Sequence, residues 1–464
     1  MRFQSTRGQA TELGFDDVLL TGLARDGGLY LPKSWPKRSI DEWRKMRCLS
    51  YAQLAAAVTQ PFFAGSTVES DVSGVMDAAY KPFDHPAVAP MIQLDSNTWL
   101  LELFHGPTLA FKDYALQVVG HLFDRVLSAK NERITIVGAT SGDTGSAAIA
   151  ACAGRDAVDI IILHPKGRVS EVQRRQMTTV DEANVHNVAI DGTFDDCQAL
   201  VKAMFNDQAF RDDIHLSAVN SINWARIMAQ TVYYASAALS LGGPDRPVAF
   251  AVPTGNFGNV FAGYCAARMG LPVASFQVGS NRNDILTRYF ETGAMTIEGV
   301  EPSLSPAMDI QVSSNFERLL FEAYGRDGAA VKRLMDGLWQ SGSYTVEESA
   351  RDTIASQFRG SRLDDEGTKA VIRSTYKDVG QLIDPHTAVG VHAAQSADLD
   401  PSVPKVVMAT AHPAKFPDAV EAATGVRPDL PPALANLYDL EERCDELPND
   451  LAKVQAYVRA HSRV

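Results

Sequence analysis

The sequence is poor in cysteine. Its 464 residues include five, Cys48, Cys152, Cys197, Cys265 and Cys444, and no two form a C-x-x-C pair. An odd set of scattered thiols argues against a disulfide framework and a zinc ribbon, and fits a reducing compartment. A basic excess is also missing: 43 Lys and Arg stand against 56 Asp and Glu, for a net charge of −13. That balance argues against nonspecific binding to nucleic acid or an anionic membrane, yet permits a locally basic pocket for a small anion. No apolar run is long enough to span a bilayer. Met1 to Ala10 is polar and lacks the apolar core of a signal peptide, so residence in the cytoplasm is expected. There is no internal repeat and no low-complexity segment.

Several familiar motifs are missing too. Neither Gly-rich loop continues as G-K-[ST], and neither gives G-x-G-x-x-G with an acidic residue after the next strand. There is no H-E-x-x-H, and His386 and His412 lie apart with no ligand spacing. These absences disfavour a P-loop, a dinucleotide site and a metal centre. Gly138 to Gly142 is a near miss for a hydrolase elbow, with Thr140 at the nucleophile position.

What is present is ordinary globular composition, 45% hydrophobic and 21% charged, in a chain long enough for two or three domains. Arg133–Val137, Val158–Leu163, Val185–Ile190, Val248–Val252, Ala274–Val278 and Lys405–Ala409 read as strands, with helical stretches such as Asp195–Phe205 between them. Apolar strands alternating with helices predict an α/β fold with open, mainly parallel sheets. The first 95 residues read as more helical, with an irregular turn over Asp26–Pro36. After Arg427 a proline-rich start leads into a polar helix toward Ala460. The expected division is an N-terminal domain over 1–95, a catalytic region of two α/β lobes over 96–427, and a helical cap over 428–464.

The segment Glu102 to Gln117, ELFHGPTLAFKDYALQ, places Lys112 where a loop becomes a helix whose Leu116, Val119, Phe123 and Val126 share one face. Phe104, Leu109, Ala110 and Phe111 give it an apolar setting. Desolvation there would favour the neutral amine that Schiff-base chemistry needs. A surface lysine at a helix start is the plainer alternative. Two strand–glycine loop–helix units accompany it, Ile136–Ala148 and Val252–Gly263. Backbone N–H groups at such turns bind anions. Gly255 and Gly258 would let the chain close around a phosphate, with Asn256 and Asn259 as side-chain donors. Ser141, Gly142, Asp143 and Thr144 suit a smaller anion such as a carboxylate. Plain βα turns explain either loop equally well when it is taken alone. In NSINWARI, Asn220 to Ile227, Arg226 and the asparagines can hold a phosphate if Trp224 begins a helix. A capping asparagine with Arg226 in a surface ion pair is the alternative. Thr410 lies at the end of a strand, where ligands collect in open α/β sheets.

Together these motifs resemble the threonine synthase family, which folds like the tryptophan synthase β subunit. The resemblance runs nearly end to end: STRG (Ser5–Gly8), DGGLYLP (Asp26–Pro32), HGPTLAFKD, SGDTGSAA, NSINWARI, PTGNFGN, DPHTAVG (Asp384–Gly390) and TAHPAKFP (Thr410–Pro417). Thr287 to Ala370 carries no such motif. The resemblance implies a family-specific N-terminal domain and two lobes with pyridoxal 5′-phosphate (PLP) between them, bound as a Schiff base to Lys112. It implies that Gly255, Asn256, Phe257, Gly258 and Asn259 hold the cofactor phosphate and that Thr410 faces the pyridine nitrogen. Ser141 to Thr144 correspond to the substrate-carboxylate loop, and Asn220 and Arg226 to substrate-phosphate ligands. The implied reaction makes L-threonine and phosphate from O-phospho-L-homoserine and water, in a monomer or homodimer with no nucleic-acid or membrane partner. A threonine or serine dehydratase of the same fold is the near rival, and a nucleotide-binding or regulatory module the distant one.

Overall fold

The computed structural model describes residues 1–464. Two sheets organise the chain. One has five strands in the order Asp445–Pro448, Val185–Asp191, Val158–Pro165, Ile134–Ala139 and Leu216–Ser217, all parallel. The other has six, in the order Phe358–Arg362, Val273–Ser280, Val248–Pro253, Lys405–Ala409, Thr98–Glu102 and Met91–Gln93. Only its last pair is antiparallel. All six strands expected from the sequence are present within a few residues of their expected ends.

The central strands are buried from end to end; Val158–Pro165 and Val248–Pro253 have no exposed position. Strands covered on both faces need helices on both, which is why these runs are continuously apolar rather than alternating. Helix Lys112–Lys130 differs from its expected one-faced pattern for the same reason. Leu116, Val119, Phe123 and Val126 are buried, but so are Tyr114, Ala115, Val118 and Leu122. Over 112–120 the helix is part of the core and is covered all round, while Arg125 and Ser128 to Lys130 are exposed. One large apolar core joins Ile136 and Ile160 of the first sheet to Val252 and Phe276 of the second, and includes Phe3, Trp43 and Phe62 from the N-terminal segment. Smaller cores lie under helices Pro385–Gln395 and Phe194–Asn206.

Two boundaries differ from the sequence-based division. Asp95 falls inside the hairpin that joins Met91–Gln93 to Thr98–Glu102, so the catalytic sheet begins before it. The C-terminal segment is more than a helical cap. Helix Leu451–His461 is there, but Asp445–Pro448 also adds an edge strand beside Val185–Asp191.

Candidate active site

Three chain segments meet at the carboxyl ends of the strands. The first carries Lys112, the opening residue of its helix. It arrives under constraint: Leu109 has a φ of 62°, a left-handed conformation that costs a leucine energy. Neighbouring backbone holds it there. Leu109 N–H donates to the Gly106 carbonyl at 3.1 Å, and His412 N–H donates to the Leu109 carbonyl at 3.0 Å. Phe111 N–H donates to the Thr410 carbonyl at 2.9 Å, and Ala110 bridges Ala411. Thr410, buried at the end of strand Lys405–Ala409, is thereby set beside the lysine segment.

Lys112 is buried, as are Asp143 and Lys415. Lys112 Nζ lies 3.2 Å from one Asp143 oxygen, and Lys415 Nζ lies 2.8 Å from the other. Gln173 Nε2 donates to that second oxygen at 2.8 Å. Burial alone would raise the Asp143 carboxyl, but Lys415 and Lys112 outweigh it and hold the group well below the usual carboxylate range. Burial lowers the Lys112 pKa; Asp143 opposes that, while the positive charges of Lys415 and Arg226 reinforce it.

This geometry corrects two expectations. The setting of Lys112 is dry but not purely apolar, since Phe111 lies under its Nζ at 4.8 Å while Asp143 faces it. The Asp143 side chain and the Gly142 N–H also leave the set of carboxylate ligands. The Asp143 side chain is an anion turned toward two lysines, which repels a second carboxylate. Gly142 N–H and Gly145 N–H donate to Thr140 Oγ1 at 3.0 and 2.9 Å, so the near-miss nucleophile caps the helix instead. Ser141, exposed at the tip, and Thr144 remain available. So do first-turn N–H groups of helix Asp143–Cys152, which have no intrahelical partner. Gly142 itself has a φ of 144°, and a Cβ there would sit 2.5 Å from the Gln173 carboxamide, so any side chain would be strained there and would displace Gln173.

The second segment runs from strand Val248–Pro253 into helix Gly258–Arg268, with Phe257 left-handed at φ 61° as its N-cap. Asn259 Oδ1 accepts from Tyr233 Oη at 2.7 Å and Tyr234 Oη at 2.9 Å. Its Nδ2 is buried with no partner. A buried donor left unpaired is costly, and an anion at this helix start would satisfy it. Gly255 is needed for close approach: a Cβ there would meet the Ala307 carbonyl oxygen at 2.9 Å. The Ala307 turn is tied down in its own right. Ala307 N–H donates to His386 Nε2 at 3.3 Å, and His386 Nδ1 faces Asp384 Oδ1 at 2.8 Å.

The third segment is 219–226. Trp224 begins helix Trp224–Ser240, and Asn223 caps it by accepting from Ala225 N–H at 3.0 Å. Arg226 turns back toward the loop, its Nη1 donating to the Val219 carbonyl at 3.4 Å. It is buried, faces no carboxylate, and leaves Nε without a partner. Burial pulls its pKa down to about 10, so it stays charged at neutral pH. The surface-ion-pair alternative therefore fails for Arg226, although a capping asparagine is present. Asn220 stays exposed at the rim, its Oδ1 accepting from Ile222 N–H at 3.3 Å.

Sequence reasoning missed the residues that hold these loops together. Asn315, from the motif-free 287–370 stretch, donates through N and Nδ2 to the Asn256 carbonyl at 3.1 and 3.0 Å, and through Nδ2 to the Ser221 carbonyl at 3.2 Å. Arg318 binds Asn315 Oδ1, the Ile222 carbonyl at 2.6 Å and the Tyr30 carbonyl at 3.1 Å. Lys415, Gln173 and His386 were missed as well.

Known proteins share the sequence pattern and the fold. Residues 2–80 match the family model "Threonine synthase N terminus", 84–351 match "Pyridoxal-phosphate dependent enzyme", and 387–458 match "Threonine synthase, C-terminal". The threonine synthase of Pseudomonas aeruginosa is 55% identical over 99% of this chain and 98% of its own. A crystal structure of PLP-bound threonine synthase from Brucella melitensis superposes with a TM-score of 0.98, at 55% identity over the whole of both chains. The yeast enzyme's structure gives 0.94 at 37% identity, covering 99% of this chain and 98% of that one. A threonine deaminase from Solanum lycopersicum, with a TM-score of 0.52 and 12% identity over 85% of this chain and 94% of that one, shares the fold.

Proposed function

This chain belongs to the threonine synthase family, and from that premise we propose how its residues use PLP to turn O-phospho-L-homoserine and water into L-threonine and phosphate. The observation that carries the reading is Arg226: a buried guanidinium with no acidic partner and an unpaired Nε. An uncompensated buried cation is costly in a folded protein. A substrate phosphate would compensate it. A dehydratase acting on an unphosphorylated amino acid has no use for such a site.

The residues present fit the cofactor. Asn259 Nδ2 and the N–H groups at the start of helix Gly258–Arg268 would hold its phosphate, Thr410 would face its ring nitrogen, and Lys112 would carry it. Bound PLP supplies an imine link to the substrate nitrogen and a ring that accepts electrons from Cα. Lys112, kept as an amine by burial, takes and returns protons at Cα and Cβ. Arg226 holds the substrate phosphate until it leaves from Cγ, and Asn220 adds an amide at the rim. Ser141, Thr144 and the free N–H groups of 141–144 hold the carboxylate. One chain supplies all of these, so a monomer or homodimer suffices. We place the enzyme in the cytoplasm on its five unpaired cysteines; no helix is long and apolar enough to cross a membrane.

Incubation with phosphohomoserine is the test. Phosphate and threonine released in equal amounts support the reading. A ketoacid formed from threonine, with no phosphate released from phosphohomoserine, would point to the dehydratase.

Two further outcomes follow from the cofactor loops. Gly255→Ala forces the loop away from the Ala307 carbonyl, a misfit worth about 1–3 kcal/mol. PLP affinity, read by absorbance titration, should fall roughly five- to hundredfold. Unaltered affinity would mean that the loop does not hold the phosphate. Thr410→Asp replaces a hydroxyl, which suits a neutral ring nitrogen, with a carboxylate that favours the protonated one. The bound-cofactor spectrum and the ratio of threonine to side products should both change. Identical spectra and products would reduce Thr410 to a turn residue.

A further inference from the structure

Two buried lysines share one buried carboxylate at the heart of the site. Lys112 reaches Asp143 at 3.2 Å and Lys415 reaches it at 2.8 Å. The two are not equivalent. Lys415 is completely buried, and its Nζ also donates to the Thr108 carbonyl at 2.7 Å. Lys112 has Asp143 as its sole hydrogen-bond partner. One carboxylate in a dry site compensates one ammonium, so the second lysine is better left neutral. The proton belongs on the amine with the shorter charged contact and the extra acceptor.

Resting on the reading that Lys112 is the reactive amine, we infer that Lys415 is a positioning residue: it occupies Asp143 as the permanent ammonium and so leaves Lys112 as a free amine. The surroundings fit that division. Gln173 donates to the same Asp143 oxygen as Lys415, while its Oε1 accepts from Ser170 Oγ at 2.8 Å, which fixes the carboxylate. Gln176 Nε2 donates to the Thr108 carbonyl at 3.1 Å, steadying the second acceptor of Lys415. Asp113, the other nearby carboxyl, is occupied by Thr108 N–H at 2.8 Å and Thr108 Oγ1 at 2.7 Å, and burial raises its pKa. Arg226 is the remaining charge felt by Lys112, and it too opposes a second ammonium there. A cation beside a reactive lysine is a general way to keep that lysine nucleophilic.

The test reads the titration of Lys112 in the full chain without PLP. Lys112 acetylation by trace acetic anhydride is followed against pH by peptide mass spectrometry. In the wild-type chain the midpoint should lie below the free-lysine value of about 10.4. Lys415→Met removes the competing ammonium and gives Asp143 to Lys112 alone. An opposite charge at hydrogen-bond distance favours the charged form, so the midpoint should rise by about one to three pH units. Lys415→Arg keeps the charge and should stay near wild type. A folded Lys415→Met chain with an unshifted midpoint overturns the inference. So does a wild-type midpoint at or above that of free lysine, which requires no variant. PLP found on another lysine would sink the underlying reading instead. PLP on Lys112 with an unshifted Lys415→Met midpoint sinks only the role of Lys415.

Discussion

Lys112→Ala should lose turnover by at least about 10²–10⁴-fold, the range that a positioned acid–base group contributes, while the protein still takes up PLP. The two effects separate because different groups hold the two ends of the cofactor. The loop around Gly255 and Asn259 and the start of helix Gly258–Arg268 are built on the second sheet. Lys112 belongs to a different segment, held by Leu109, Phe111 and Thr410. Removing the amine leaves the phosphate cradle intact, and it also leaves Asp143 paired with Lys415. The variant should therefore fold, bind PLP without the absorbance of a Schiff base, and release almost no phosphate from phosphohomoserine. Turnover within a fewfold of wild type would remove Lys112 from the reaction.

Arg226→Ala should lower kcat/KM for phosphohomoserine by about ten- to hundredfold. A hydrogen bond to a charged group contributes roughly 1.5–3 kcal/mol, and here the partner phosphate is a dianion. PLP affinity should stay near wild type, because Arg226 lies outside the cofactor loop. Arg226→Lys should recover only part of the loss, since an ammonium lacks the two-pronged geometry of the guanidinium. Stability gives an independent reading. Arg226 is buried with Nε unpartnered and one long contact to Val219, so it costs the ligand-free fold more than it returns. Arg226→Met should therefore leave Tm unchanged or raise it. A structural arginine would behave in the opposite way, with Tm falling and kcat/KM holding. Normal kcat/KM in Arg226→Ala would exclude this residue from the substrate site.

Which parts were legible in the sequence follows from where their signal lies. The buried strands Val158–Pro165 and Val248–Pro253 are continuous apolar runs, and each Gly-rich loop follows its own strand, so strand, turn and helix start lie within a dozen residues. Lys112 could be read for the same reason. Edge strands could not. Phe358–Arg362 reads FRGSR and Asp445–Pro448 reads DELP; each sets a single apolar side chain, Phe358 or Leu447, against a core, too little to make an apolar pattern. The supports of the site are harder still. Asn315 and Arg318 act on distant loops from a stretch with no motif, and His386 and Lys415, though inside DPHTAVG and TAHPAKFP, have partners too far away in sequence for the motif to reveal. Asp143 was misread because its loop was assigned as a unit. The proposed carboxylate contacts are backbone N–H groups and hydroxyls of 141–144, whereas the one carboxylate among them faces the lysines.

A second buried lysine at Asp143 makes the assignment of Lys112 as the cofactor-carrying amine sharply testable. The PLP-bound protein is reduced with borohydride, digested and mapped by mass spectrometry. The reduced cofactor should be found on Lys112, in the peptide containing AFKDY. Recovery on Lys415, or on any other lysine, would contradict it.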